Sequence, residues 1–195
     1  MLLLASPSLA DDKFVTSAKK FLSLVDSKTR SKLMFSYDNN ERYNWNFVPT
    51  TRQGASLHDL NEQQTKAIEE LLSLFLSEQG YQKAETVRKW EAILREVEGR
   101  KEGDTYRDPK KYFVSFFGEP AEKSLWGWRF EGHHLSLNFT YFNVVVEAAT
   151  PSFMGANPAV TPTGARNLKD ETDIAFELVK SLKPEQLKSA VFADK

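Results

Sequence analysis

The stretch Trp126-Gly127-Trp128-Arg129-Phe130-Glu131-Gly132-His133-His134-Leu135-Ser136-Leu137-Asn138-Phe139 decides how this chain folds. Read as extended backbone, it alternates cleanly on each side of Gly132 but slips across it. Before the glycine, Trp126, Trp128 and Phe130 share one face, with Arg129 and Glu131 opposite. After it, His133, Leu135, Leu137 and Phe139 share a face, with His134, Ser136 and Asn138 opposite. Strict period two would put Phe130 on the side of His134 and Glu131 on the side of His133. One extra residue at Gly132, as a bulge or a tight turn, repairs the mismatch. It gathers Trp126, Trp128, Phe130, Leu135, Leu137 and Phe139 into a core face, and Arg129, Glu131, His134, Ser136 and Asn138 into a polar one.

Working outward, residues 111–117 are rich in aromatic and β-branched side chains and are bounded by Gly118 and Pro120, which predicts a strand. Leu125 to Glu131, His133 to Thr140 and Asn143 to Ala148 are the next strands, and four in sequence suggest an antiparallel meander. Residues 150–164 hold three Pro and two Gly and are expected to form a structured loop rather than a strand. A last helix spans about Leu168 to Leu182, carrying Ile174, Leu178 and Leu182 four apart, with a further turn after Pro184.

The N-terminal half has helical spacing. Asp11 or Asp12 caps a helix bearing Phe14, Ala18, Phe21, Leu22 and Val25, and the helical stretch continues through Leu33 and Met34. Residues 36–56 look irregular around Tyr43, Trp45 and Phe47. Asp59 with Glu62 reads as a capping box, followed by Ala67, Ile68, Leu71, Leu72, Phe75 and Leu76 at helical spacing and by Gly80 as the stop. A second helix carries Ala84, Val87, Trp90, Leu94 and Val97 to Gly99, so a hinge at Gly80 makes an antiparallel helical hairpin. Residues 99–110 are a polar loop. The expected fold class is α+β: a helical N-terminal half packed on an antiparallel β-meander, with a C-terminal helix. It forms one domain over residues 13–195, after a terminus of residues 1–12.

The chain of 195 residues carries 26 Lys plus Arg against 27 Asp plus Glu, three His and no Cys. Without Cys there is no disulfide, thiolate-ligated zinc, iron–sulfur cluster or cysteine nucleophile. Near-balanced charge argues against nucleic acid as a partner, since that needs a basic surface. No apolar stretch approaches the roughly 20 residues that span a bilayer. Residues 1–10, MLLLASPSLA, have the small-residue end of a signal peptide but lack its basic start and full apolar region. Read as a shortened signal they place the protein outside the cytoplasm; read as a frayed terminus they leave it inside. Oligomeric state has no signature here.

Standard motifs are absent: no G-x-S-x-G elbow, H-E-x-x-H, Walker loop or G-x-G-x-x-G. Ser17-Ala18-Lys19-Lys20 matches S-x-x-K but sits on an amphipathic helix without its partner motifs. Asn138-Phe139-Thr140 is a sequon in a strand, a poor acceptor position.

The polar face of the Gly132 run is therefore where chemistry is expected. Arg129 is suited to hold an anion, His134 to exchange a proton near neutral pH, and Glu131 to orient it. His133, Ser136 and Asn138 line the floor, while Arg107 and Asn157 approach from loops. With no redox motif, hydrolysis or proton transfer on a small molecule is the least demanding reaction. No cofactor is implied by motif. A divalent metal is the alternative, held by His134 with Glu131, or His133 with His58, plus carboxylates. A further alternative is a non-catalytic extracytoplasmic binding or scaffold module whose polar face is simply solvated. Arg107 itself either pairs with Asp108 or reaches a substrate anion.

Six segments carry a family resemblance. They are Trp45-x-Phe47-Val48-Pro49, Gly54-x-x-Leu57-x-Asp59-Leu60, Arg107-Asp108-Pro109-x-x-Tyr112, Phe117-Gly118-x-Pro120, the run from Trp126 to Asn138, and Thr150-Pro151-x-Phe153-x-Gly155-Ala156-Asn157-Pro158. Together they resemble the DUF3500 family, a domain of unknown function, over about residues 14–190, with the G-H-H-L-S-L-N run the most specific part. The resemblance implies a chain that continues beyond Lys195, and many bacterial members carry an export signal. It supplies no activity, cofactor or catalytic residue, and it draws attention to the His-His strand.

Overall fold

A computed structural model describes residues 12–101, 103–191 and 193. The signal-peptide reading of residues 1–10 therefore lies outside the described residues. The chain divides into two compact units, one running to Gly155 and one from Ala156.

In the first unit, α1 (Lys13–Leu24) is capped by Asp12, whose carboxylate accepts from the amides of Phe14 and Val15. Its spacing buries Val15, Ala18, Phe21 and Leu22. Asp26 restarts the chain as α2 (Ser27–Leu33), so the expected single helical stretch is two helices. Met34 is not helical as expected: it opens β1 (Met34–Phe35), which pairs in parallel with residues 116–117, and the ladder replaces the last helical turn. A 3-10 turn over Asn40–Tyr43 and the two-residue β2 (Ala55–Ser56) interrupt the irregular segment.

The next helix, α3 (Glu62–Phe75), starts two residues later than the capping signal suggested. Asn61 is the cap: its side chain accepts from Gln64 N, and Gln64 Oε1 accepts from Asn61 N, a reciprocal pair. Asp59 is occupied elsewhere, accepting from the amide and hydroxyl of Ser56 and pairing with Lys32. Gly80 does not stop the helix. The break is at Leu76-Ser77, and Gly80 N donates to the Ser77 hydroxyl in the first turn of α4 (Glu78–Val97). Gly99, in the left-handed region at φ +64°, follows the end of α4.

The remaining strands are β3 (Phe113–Phe117), β4 (Trp126–Gly132), β5 (Leu135–Phe142), β6 (Val145–Ala148) and β7 (Ser152–Met154). Strands β3 to β6 form the expected antiparallel meander, but parallel β1 makes the seven-stranded sheet mixed. The Pro/Gly stretch after residue 150 holds a strand after all, because β7 pairs with residues 135–137 of β5. The described residues form six α-helices and this sheet, and the α+β class stands.

One sheet face packs against the helices of the first unit. Trp126, Trp128, Phe130, Leu135, Leu137 and Phe139 are all buried there with Phe21, Ile68 and Leu71. Phe116 stacks on Phe21 and on both tryptophans. Gly127 permits this hairpin to close, since a Cβ there would stand 2.5 Å from the Phe139 carbonyl.

In the second unit, α5 (Lys169–Ser181) and α6 (Pro184–Ala190) provide the C-terminal helices. A turn closed by Gly164 N donating to Thr161 O precedes α5, and Asp173 binds Arg166 and Lys169.

Candidate functional site

The phase slip at Gly132 is a two-residue hairpin turn. Gly132 pairs with Leu135, which leaves His133 and His134 as the loop rather than as strand residues. His134 adopts φ +57°, a left-handed conformation uncommon outside glycine and asparagine. The surrounding structure holds it there. Tyr112 Oη donates to His133 O at 2.8 Å, Gly155 N to His134 O at 2.8 Å, and Arg52 Nη2 to Gly132 O at 3.0 Å. His134 N in turn donates to Phe47 O at 2.8 Å. Three successive carbonyls and one amide of the turn are thus satisfied by tertiary partners, which fixes where the two imidazoles point. Gly132 is required by packing: a Cβ would lie 2.4 Å from the Tyr112 ring.

His133 is nearly buried, and its Nδ1 lies 2.5 Å from Glu91 Oε1. Glu91 comes from α4, at the inward position of the Ala84, Val87, Glu91, Leu94 stripe, and is only 4% exposed. A carboxylate at that depth is strongly disfavoured unless paired. A carboxylate this close favours the tautomer with the proton on Nδ1. Among the described residues no group hydrogen-bonds Nε2. Arg107 Nη1 sits 3.3 Å from the same Nδ1, and the Arg107 guanidinium is held by Glu98 at 2.6 and 3.1 Å. That arginine, with Arg100, holds the Glu98 carboxyl down at about 2.

His133 and Glu91 open onto a cleft of about 400 Å³, whose walls include Pro49, Arg52, Tyr106, Asp108 and Lys111. This is within the size range of small-molecule sites. His134 stacks on His133 with ring centroids 3.8 Å apart. Burial, with His133 and Arg107 adding repulsion, lowers its pKa to about 4, so it is neutral at pH 7.

The polar face of the hairpin is a different environment. Arg129, Glu131, Ser136 and Asn138 share it in register, but all four are buried rather than solvated. The segment of residues 37–54 closes over them. Arg129 Nε lies 2.9 Å from Glu131 Oε1, and its Nη2 donates to Glu41 at 2.6 Å. Glu131 Oε2 accepts from Asn46 N at 3.0 Å and lies 3.8 Å from Arg52 Nε. Arg52 also donates to the carbonyls of Asn46, Val48 and Thr50. Burial raises the Glu131 pKa, opposed by Arg129, the Asn46 amide and Arg52. Asn138 Nδ2 donates to Ser136 Oγ and Pro151 O.

The family model described as "Protein of unknown function (DUF3500)" matches residues 9–195. The chain belongs to the DUF3500 family. No curated protein and no solved structure matches it.

Set against this DUF3500 chain, the residues singled out in sequence separate into groups. Arg129, Glu131, Ser136 and Asn138 come together, with Glu131 ion-paired to Arg129 rather than to an imidazole. His133 and Arg107 come together on the other side of the turn. Arg107 pairs with Glu98 and not with Asp108, whose carboxylate instead meets His58 Nε2 at 2.7 Å. Asn157 belongs to the second unit. His133, His134, Glu131 and His58 do not converge: among the described residues no three His, Asp or Glu side chains group as a metal site. Among the same residues no helix is long and apolar enough to cross a membrane.

Glu91 escaped sequence reasoning. Its signal was available, since an acid occupies an inward position of an otherwise apolar helical stripe, and a buried acid needs a partner.

Proposed function

We propose that this DUF3500 chain binds a small molecule in the cleft beside the Gly132-His133-His134 turn, and that Glu91 and His133 act there as a carboxylate–imidazole acid/base pair. The observation that carries the reading is the 2.5 Å contact between Glu91 Oε1 and His133 Nδ1 at the wall of that cleft. The Nε2 lone pair takes a proton from a bound hydroxyl or water, Glu91 stabilises the imidazolium that forms, and the same proton returns to the leaving group. Hydrolysis or proton transfer is the reaction class this arrangement supports.

The other residues take positioning roles in this reading. Arg107 supports the Glu91 carboxylate electrostatically. His134, neutral at pH 7, backs the His133 ring by stacking on it. Arg129 and Glu131 hold the 41–52 segment that forms one wall of the cleft.

The test is the tautomer of neutral His133, read from the ring ¹⁵N chemical shifts of the labelled protein. The expected result is a proton on Nδ1 and a free Nε2. A neutral His133 protonated on Nε2 would end the proposal, since no base would then face the cleft.

A further inference from the structure

The charges around the same cleft go further than its size, because all but one of those that line it are already engaged. Glu91 is met by His133 and lies near Arg107. Asp108 accepts from Lys110 N at 2.8 Å and holds His58 Nε2. Arg52 is spent on four backbone carbonyls and on Glu131. Lys111 is different. Its side chain is exposed, and among the described residues its ammonium has no hydrogen-bond or ion-pair partner. Elsewhere in the wall Pro49, Tyr106 and Phe113 offer apolar surface to a hydrocarbon body, beside the hydroxyl-bearing Thr50, Thr51 and Tyr112.

From this the geometry points to a small carboxylic acid as the ligand class: one carboxylate set on Lys111, an apolar body against Tyr106 and Phe113, and the group that exchanges a proton presented to His133 Nε2. This rests on the acid/base reading of His133 and names its substrate class. A single negative charge matches a single uncommitted ammonium. A dianion such as a phosphate monoester would place its second charge near the carboxylates of Glu91 and Asp108, with no other uncommitted cation among the described residues that line the cleft. A neutral ligand would leave Lys111 without a role, and a cation would be repelled by it.

The experiment uses the full chain, ¹³C-labelled, titrated separately with sodium benzoate, benzamide and inorganic phosphate at matched ionic strength. The signals followed are the Cε1–H of His133 and the Cε methylene of Lys111. Benzoate is expected to shift both saturably, with benzamide and phosphate binding at least about tenfold more weakly, the scale of one charge-assisted contact. Lys111→Gln is expected to weaken benzoate about tenfold and to leave the benzamide response unchanged. That variant alters an exposed side chain without partners, so it does not threaten the fold. Equal binding of benzamide, tighter binding of phosphate, an unaffected Lys111→Gln variant, or no saturable response to benzoate would each overturn the carboxylate assignment. The tautomer measurement contains no ligand, so it stands or falls separately. An Nδ1-protonated His133 with no benzoate preference would remove the ligand class and leave the acid/base pair.

Discussion

Two parts of one hairpin hold ionisable side chains a few residues apart and treat them in opposite ways. On the polar face of β4 and β5, Arg129, Glu131, Glu41 and Arg52 engage one another and the carbonyls of the covering segment. At the turn, the Nδ1 of His133 is met by one carboxylate, and the residue lines a cleft. The difference teaches that density of charge along a strand is a poor guide to chemistry. Charges sealed among their own partners are out of reach of a ligand, whereas an imidazole at a cleft wall is within it.

The largest expected effect strikes the closed set. Arg129→Ala leaves Glu131 and Glu41 without their guanidinium at a fully buried position. It should lower unfolding free energy by about 3–5 kcal/mol, the usual result of removing one partner of a buried pair. Urea unfolding measures this, and a loss under about 1 kcal/mol would mean that this face is not the structural element described. The next effect strikes the turn. Gly132→Ala brings a methyl group against the Tyr112 ring and should cost about 1–3 kcal/mol. It should also displace the His133 carbonyl from Tyr112, visible as a shift of the His133 ring signals. Unaltered His133 resonances in the Gly132→Ala variant would separate the turn from Tyr112 and weaken the contrast.

The smallest effect concerns pH. Burial brings His134 down from 6.5 to about 4. Between those values the unfolded chain binds a proton at this residue and the folded chain does not. Stability therefore falls as pH drops through the window from about 6.5 to 4. His134→Asn keeps a residue tolerant of left-handed backbone and removes the imidazole. Unfolding curves at pH 7 and pH 4.5 should show a smaller loss for this variant than for the native chain. An equal loss would show that His134 titrates as it does in solution.

Much of the fold was legible because it follows from local spacing. The stripe of Ala18, Phe21 and Leu22, the apolar series from Ala67 to Leu72 and the alternation around Gly132 each placed an element correctly, since periodicity reports which face must leave water. Boundaries set by capping were less legible. Asp59 and Asn61 are both competent N-caps, and the choice fell to Asn61 only because Ser56 and Lys32 engage Asp59. Strand β7 was hidden among prolines because its stability comes from β5, 15 or more residues earlier in the chain. At the site, the interest of His133 was visible in sequence and its partner was not.

By itself, the amino-acid order determined that the run from Trp126 to Phe139 must change phase at Gly132, that its aromatic side forms a core, and that the chain mixes helices with an antiparallel meander. These follow from side-chain periods of 3.6 and 2, which are properties of neighbouring residues. Only tertiary structure decided that the phase change is a turn presenting two imidazoles, that the polar face is sealed by residues 37–54, and that Glu91, 42 positions before His133, meets its ring. Such pairings depend on how helix and sheet pack, because the cost of burying a carboxylate is met by whichever group the packing brings within reach.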